Sequence, residues 1–168
     1  IISESGKPVL VLKSGRTREG AAAAASHTGS LAGSDEVCDA AFRQAGIIRC
    51  STIEEMFHNA IALAYQPLPR GKRVAIITNA GGPGVLATDA AIKQNLDLAK
   101  FSDATLEIYK KSLPATANIK NPVDVIGDAR ADPYKVALGA ALQDPGVDGV
   151  LVILTPQSMT DIENIAEE

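Results

Sequence analysis

The sequence predicts an α/β protein whose parallel sheets carry helices on both faces. Three segments, at 8–13, 72–78 and 149–154, each contain a run of consecutive apolar residues that is typical of a strand buried on both faces of a parallel sheet. Segments with the residue spacing of amphipathic helices separate these runs. Because strands alternate with helices along the chain, parallel pairing is favoured.

The first block of the chain is delimited by helix-capping signals. Ser34 is a favourable N-cap, Gly46 a favourable C-cap, and residues 51–54 have the pattern of a capping box. The predicted elements are a strand at 8–13, a polar loop at 14–20, a small-residue segment at 21–33, a helix at 34–46, a strand at 47–50 and a helix at 51–65.

The segment 67–71 is the best candidate for a domain boundary, because prolines and a glycine interrupt the periodicity there. The predicted organisation is a domain at 1–66, a linker at 67–71 and a second domain at 72–168 whose last helix is still under way at the end of the sequence. The elements predicted after the linker are a strand at 72–78, a tight turn at 79–84, a helix at 85–95, a short strand at 96–98, a helix at 103–113, an irregular run at 114–125, a helix from 132 to about 143, a strand at 149–154 and a final helix from 158 or 160.

The composition excludes several classes of function. The net charge is −4 with no basic run, and aromatic residues make up 4% of the chain without any tryptophan. These features argue against nucleic-acid binding and electrostatic capture by a membrane. There is no apolar run of about 18 residues that would span a bilayer, and no cluster of His, Cys and carboxylates predicts a metal site. Cys38 and Cys50 have no metal-ligand spacing, so we expect small, buried thiols of a reduced, cytoplasmic protein.

The two ends of the sequence predict a fragment of a longer chain. There is no initiator methionine, the first six residues are typical of a helix end, and residues 161–168 are typical of a helix still under way.

His27 is one of two histidines and lies among small residues at 21–33. Small side chains leave room for a bulky group beside the imidazole, and glycines let main-chain N–H groups approach an anion. The alternative is a flexible alanine/glycine connector with an incidental histidine. His58 lies within a predicted helix and is expected on a helix surface or at an interface.

The turn at 79–84 is the second candidate site. It follows a buried strand and opens a helix, where unpaired N–H groups and the helix dipole favour an anion. Its Gly-Gly-Pro-Gly spacing is not a dinucleotide fingerprint, and no lysine follows it as in a phosphate loop. The alternative is a tight turn without a ligand. The residues predicted to bind phosphate in the two segments are Gly29, Ser30, Asn79, Ala80, Gly81, Gly82 and Gly84.

A histidine that carries a phosphoryl group would explain both segments. The neutral imidazole is a nucleophile near pH 7, and the phosphohistidine needs N–H donors and dipoles around it. Lys13 and Arg16 could neutralise such a group, or they could be solvated loop charges. Asn118, Asn121 and Asp124 could contact the site or lock an interface, although Asn121 before a proline could also only form a turn.

These segments resemble a known family. Residues 26–34, preceded by 7–17, resemble the phosphohistidine segment of NDP-forming acyl-CoA synthetases, the ADP-forming acetyl-CoA synthetases of the succinyl-CoA synthetase superfamily. Segments 79–84 and 118–124 resemble the following ligase domain of the same α subunit. The resemblance covers essentially the whole chain, and the two motifs in this order are specific.

The resemblance implies two flavodoxin-like domains, the first truncated on its N-terminal side. The family converts an acyl-CoA, phosphate and ADP to a carboxylate, CoA and ATP through an acyl phosphate and a phosphohistidine. By match, His27 is the phosphorylated residue, and the turn at 79–84 opens a helix whose N-terminus faces the phosphoryl group.

The resemblance also implies partners. CoA, ADP or ATP and Mg²⁺ would be bound mainly by parts that the sequence lacks, namely an upstream CoA-binding domain and an ATP-grasp domain or β subunit. A carboxylate that steadies the histidine is also missing, so the fragment alone is expected to be inactive, and an oligomer is expected.

Two alternatives remain at this point. Some protein lysine acetyltransferases carry a similar acyl-CoA-sensing regulatory region, often without the histidine. The third reading is a flavodoxin-like binding module that uses only the glycine turn.

Overall fold

The computed structural model describes residues 6–28, 34–128 and 130–167, and the chain falls into two compact units, Ile1–Leu68 and Pro69–Glu168. The helix end predicted at residues 1–5 lies outside the described residues. None of the helices within these ranges is long and apolar enough to cross a lipid bilayer.

The first unit contains two strands that pair in parallel, as the sequence predicts. Its elements are β1 (Leu10–Leu12), α1 (Arg18–Thr28), α2 (Asp35–Ala45), β2 (Ile48–Cys50) and α3 (Ile53–Tyr65). Leu10 lies opposite Ile48, and Leu12 lies opposite Cys50. Both strands therefore end at the same edge, where the chain leaves towards α1 and α3.

Helix α1 is a correction, because the sequence predicts a polar loop at 14–20 and a small-residue segment at 21–33 but no helix there. Alanine has the highest helix propensity, and the run at 21–25 outweighs the cost of Gly20. Thr17 caps the helix: its Oγ1 accepts a hydrogen bond from the Gly20 N–H at 3.1 Å, and its carbonyl accepts one from Ala21 at 2.8 Å. His27 therefore lies on a helix.

The caps of α2 and α3 largely follow the prediction. The Ser34 hydroxyl accepts a hydrogen bond from the Val37 N–H, and Gly46 ends α2 in the left-handed conformation with φ of 69°. The N-cap of α3 is one residue later than the predicted capping box places it, because Thr52 is the N-cap and accepts from the Glu55 N–H at 3.0 Å.

The first unit buries little of itself. Among its described residues, Cys50 alone is buried. One side of α3 carries apolar side chains that are each more than half exposed, at Ile53, Phe57, Ile61 and Tyr65. Apolar side chains at i, i+4, i+8 and i+12 form one stripe along the helix. The described part of this unit therefore lacks a core of its own.

The second unit is a parallel sheet with helices packed against it. Its elements are β3 (Arg73–Thr78), α4 (Gly81–Lys93), β4 (Asp97–Leu98), α5 (Asp103–Ser112), β5 (Val123–Asp124), α6 (Ala131–Gln143), β6 (Gly149–Ile153) and α7 (Ile162–Glu167). β3 is central: β6 pairs with it from Val74 to Thr78, β4 near its start and β5 near its end, all in parallel. Strand β5 was not predicted, because two residues inside an irregular run give no periodicity.

The side chain of Asn121 fills the gap between β4 and β5 along β3. Its Oδ1 accepts a hydrogen bond from the Ile76 N–H at 2.9 Å. Its Nδ2 donates to the carbonyls of Val74 at 2.8 Å and Ala99 at 3.0 Å. The Asn121–Pro122 peptide bond is cis. The amide thus satisfies main-chain groups that no strand reaches.

The core of this unit lies between the sheet and helices α5 and α6. Tyr109 is fully buried, donates its hydroxyl to the Ala137 carbonyl at 2.9 Å and packs edge-to-face against Phe101. Val123 and Val125 are fully buried in the same cluster. This packing orients β3 and β5, whose carboxyl ends carry the candidate site.

Candidate functional site

His27 lies in the last turn of α1, and its side chain is exposed. The carboxyl end of a helix carries partial negative charge and favours a cation over an anion. A phosphoryl group on this imidazole would therefore need stabilising groups other than its own helix. Gly29 and Ser30, which the sequence predicts beside it, lie outside the described residues.

His58 is also exposed, on α3. It agrees with the predicted helix-surface position. The two histidines thus differ in setting: His27 lies in the last turn of a helix, within the small-residue segment at 21–33, and His58 lies in the middle of a helix.

Helix α4 begins directly after the central strand and has no side-chain cap. Its N-cap is Ala80, and Gly81 and Gly82 form its first turn, so the helix starts four residues before the predicted position. The first N–H groups of a helix have no partner within it, and Pro83 contributes none. The start of α4 therefore offers main-chain donors and the positive end of the helix dipole to an anion.

The glycines at this helix start differ in their surroundings. A Cβ on Gly82 would meet nothing within 4 Å, whereas a Cβ on Gly81 would lie 3.5 Å from Asp124 Oδ2. Gly84 is buried, and a Cβ there would lie 3.1 Å from Thr78 Cγ2 and 3.5 Å from Pro122 Cβ. Gly82 is thus the open approach to the helix start, and Gly84 is a packing position.

Asn79 is buried, and its side chain is committed to the protein. Oδ1 accepts hydrogen bonds from the Thr155 N–H at 2.9 Å and the Thr155 hydroxyl at 2.8 Å. Nδ2 donates to the Thr155 carbonyl at 2.9 Å. The Gln157 side chain donates to the Asn79 carbonyl at 3.2 Å. In the sequence, residues 155–157 are recognisable only as a polar segment at the end of a strand. The hydrogen bonds of Asn79 with Thr155 and Gln157 therefore could not be predicted.

Asn118 and Asp124 come together near the start of α4. Their main chains exchange two hydrogen bonds, at 3.0 and 2.9 Å. The Asp124 carboxylate accepts from the Ile126 N–H at 2.9 Å and lies beside Gly81. Asn121, by contrast, points along β3 to the interior of the sheet. Of the three residues in this loop that are predicted to support the site, Asp124 thus lies at the helix start and Asn121 does not.

Lys13 and Arg16 lie at the carboxyl ends of β1 and β2, in a groove of about 430 Å³. Both face Asp35, with nitrogen–oxygen distances of 3.6 and 3.9 Å. Arg49 also pairs with Asp35, and its hydrogen bond is the main cause that lowers the pKa of the Asp35 carboxyl, aided by the charges of Arg49, Lys13 and Arg16. Asp35 is thus the counter-charge of this cluster, a role that the sequence pattern does not predict.

The fold and the exposed helix start place the chain among the open parallel α/β proteins, in which ligands bind beyond the carboxyl ends of the strands. Residues 2–63 match the family described as succinyl-CoA ligase like flavodoxin domain, and residues 74–161 match the Ligase-CoA domain family. The chain belongs to the NDP-forming acyl-CoA synthetase family, within the succinyl-CoA synthetase superfamily. The predicted α/β fold class with flavodoxin-like domains is confirmed.

Relatives with known functions are similar along nearly the whole chain. The α subunit of ADP-forming acetate–CoA ligase II of Pyrococcus furiosus is 48% identical over 161 residues, which are 94% of this chain and 35% of that subunit. ADP-forming acetate–CoA ligase I of Archaeoglobus fulgidus is 47% identical over 96% of this chain and 23% of its own length. The chain thus spans about a third or less of these relatives.

A solved structure supports the same assignment. Dinucleotide-forming acetyl-coenzyme A synthetase 1 of Candidatus Korarchaeum cryptofilum, in complex with phosphate and ADP, superimposes with a TM-score of 0.89 at 39% identity, over 96% of this chain and 35% of that one. Its apo form gives a TM-score of 0.87.

Proposed function

We propose that this chain is part of an acyl-CoA synthetase that couples cleavage of an acyl-CoA thioester to formation of ATP from ADP and phosphate, with His27 as the phosphoryl carrier. The observation that carries the proposal is the 43–48% identity, over nearly the whole chain, to acetate– and 4-hydroxybutyrate–CoA ligases that form ADP. Such a reaction needs a nucleophile and donors for an anionic phosphoryl group. His27 supplies the nucleophile, and the uncapped start of α4 supplies main-chain N–H donors.

In the proposed reaction, phosphate displaces CoA from the acyl group, and the resulting acyl phosphate transfers its phosphoryl group to His27. The lone pair of the neutral imidazole nitrogen attacks phosphorus, and the carboxylate leaves. The phosphohistidine then passes the phosphoryl group to ADP. The exposure of His27 at the end of α1 leaves its ring accessible to such donors and acceptors.

We assign phosphoryl binding to the start of α4. The N–H groups of Gly81 and Gly82 and the helix dipole fit a group with two negative charges, and the missing Cβ atoms leave space for it. Gly29 and Ser30 are likewise proposed to bind phosphate. Asn79, Ala80 and Gly84 shape this helix start, because the side chain of Asn79 is already hydrogen-bonded and Gly84 is packed.

The remaining binding functions are proposed for other parts of the enzyme. CoA would bind an upstream domain, and the Mg²⁺ nucleotide an ATP-grasp domain or β subunit, in a cytoplasmic oligomer. We propose that Lys13 and Arg16 are the side chains that would meet an anionic group of CoA or of the nucleotide.

We also propose that the first unit is the carboxyl-terminal part of a first ligase domain, joined by a linker at 67–71 to a second ligase domain. The support is its scarcity of core: Cys50 is its one buried residue among those described, and α3 keeps an exposed apolar stripe. Within the described residues its sheet has two strands, whereas sheets usually have about four to six.

The test uses the full-length enzyme. Incubation with ATP and Mg²⁺ is expected to give an acid-labile phosphoryl group, which mass spectrometry locates at His27. His27→Asn should abolish both this labelling and ATP formation. His58→Asn, a change at the other exposed histidine, is the matched control and should retain both. Labelling that persists in His27→Asn would refute the proposal.

A further inference from the structure

We infer that Asn79 is a positioning residue for phosphoryl transfer, an inference that rests on the function proposed above. It lies between the end of β3 and the N-cap of α4, and 2% of its surface is exposed. Together Asn79 and Thr155 form three side-chain hydrogen bonds, of 2.8 to 2.9 Å. The amide therefore clamps the start of α4 to the segment that follows β6.

The hydrogen bonds continue to a third loop. The Thr160 hydroxyl lies 3.5 Å from Asn79 Nδ2 and donates to the Gly127 carbonyl at 3.3 Å. Gln157 donates to the carbonyl of Asn79 and lies against Gly127. The segments after β3, β5 and β6 are thus joined at one edge of the sheet, with Asn79 at the junction.

Asn79 acts through the helix start and not through direct contact. Its Oδ1 and Nδ2 both have protein partners, so the side chain has no role left in binding a phosphoryl group. Ala80 links it to Gly81, whose N–H group belongs to the proposed phosphoryl-binding set. Because α4 has no side-chain cap, the hydrogen bonds of Asn79, together with those between the Thr78 hydroxyl and the main chain of Ala80, set the direction of these first N–H groups. A shift of about 1 Å in such donors can slow a reaction by up to about a hundredfold.

The experiment measures kcat and KM for ADP in ATP formation by the full-length enzyme. Asn79→Ala should lower kcat by about tenfold to a hundredfold while KM changes by less than about twofold, because transition-state contacts are misaligned and nucleotide binding is not. Thr155→Val removes one hydroxyl and should lower kcat less. Thr155→Ser keeps that hydroxyl and should restore the wild-type kcat.

Asp148→Asn is the matched control. Asp148 joins the same two strands at their opposite end, where it accepts hydrogen bonds from the Arg73 main chain and guanidinium. This variant should lower the unfolding temperature but keep kcat below that temperature. It separates loss of stability from loss of alignment.

The outcomes distinguish the proposed function from the role of Asn79. A wild-type enzyme that forms neither phosphohistidine nor ATP overturns the proposed function and this inference with it. An active wild type whose kcat survives in Asn79→Ala, or falls equally in Asp148→Asn, overturns this inference alone. Should Asn79→Ala not fold, the comparison of Thr155→Val with Thr155→Ser decides in its place, since a kcat equal in both contradicts the clamp.

Discussion

The side-chain carbonyl of Asn121 accepts a hydrogen bond from the main-chain N–H of Ile76, in the middle of the central strand. Ile76 is fully buried, so no water replaces this partner. Asn121→Ala should leave that N–H unpaired and destabilise the protein by about 1–3 kcal/mol. Urea unfolding measures the loss. Asn118→Ala removes an exposed amide of the same loop and should cost clearly less; equal losses would contradict the role of Asn121 in the sheet.

The two glycines at positions 82 and 84 should respond differently to valine. Gly82→Val has open space for its side chain and should keep the unfolding temperature, but it should slow phosphoryl transfer because the side chain covers the helix start. Gly84→Val would press on Thr78 and should lower the unfolding temperature. Thermal unfolding and the single-turnover rate of the full-length enzyme check both. An unchanged rate in Gly82→Val would argue against anion binding at α4.

The Asp148–Arg73 pair should make stability depend on pH in acid. Hydrogen bonds from Arg73 lower the pKa of the Asp148 carboxyl from 3.8 to about 2. A carboxyl whose pKa is lower in the folded than in the unfolded protein stabilises the fold at pH values above its unfolded pKa. This stabilisation is lost as the pH falls through the folded pKa. The wild type should therefore lose its advantage over Asp148→Asn between about pH 4 and pH 2. Urea midpoints at several pH values measure the difference; a gap that stays constant down to pH 2 would contradict it.

Arg49 should not tolerate lysine. Its side chain is 8% exposed, pairs with both Asp35 and Asp39, and lies over the Phe42 ring with 5.8 Å between the guanidinium carbon and the ring centroid. A single ammonium group cannot reproduce the planar fork and the stacking. Arg49→Lys should speed amide hydrogen exchange in α2 and β2. Arg43→Lys, a change in a side chain that is 74% exposed, should leave exchange near the wild-type rate. Similar exchange in the two variants would refute the distinction.

The parallel α/β class could be predicted because runs of consecutive apolar residues are typical of strands in parallel sheets. Burial on both faces was predicted for three runs and holds for β3, whereas Leu151 and Val152 of β6 are 43% and 42% exposed. The runs that contain β3 and β6 are apolar on both faces, and the structure pairs them along five residues. The glycine turn was predicted in the correct place, but α4 begins earlier than predicted. Because glycine has a low helix propensity, the sequence pattern does not indicate that Gly81 and Gly82 form the first turn of a helix.

Other features depend on tertiary contacts that no local pattern contains. Helix α1 was missed because an alanine run has no amphipathic stripe, although its propensity is high. The partnership of Asn79 with Thr155 joins residues 76 positions apart. For the same reason, Asn79 was assigned to phosphate binding from its place in the turn, whereas its amide is occupied within the protein.

The pairing of β3 with β6 has a consequence for synthesis of the protein. The central strand β3 begins at Arg73, and β6, the strand that pairs with it over the most residues, ends at Ile153. The ribosome must therefore release about eighty further residues before β3 can pair along its length. Until then its apolar residues are open to chaperones or to neighbouring nascent chains. Because such non-local pairing also slows folding, this stretch of translation is the period in which the second unit is most vulnerable to aggregation.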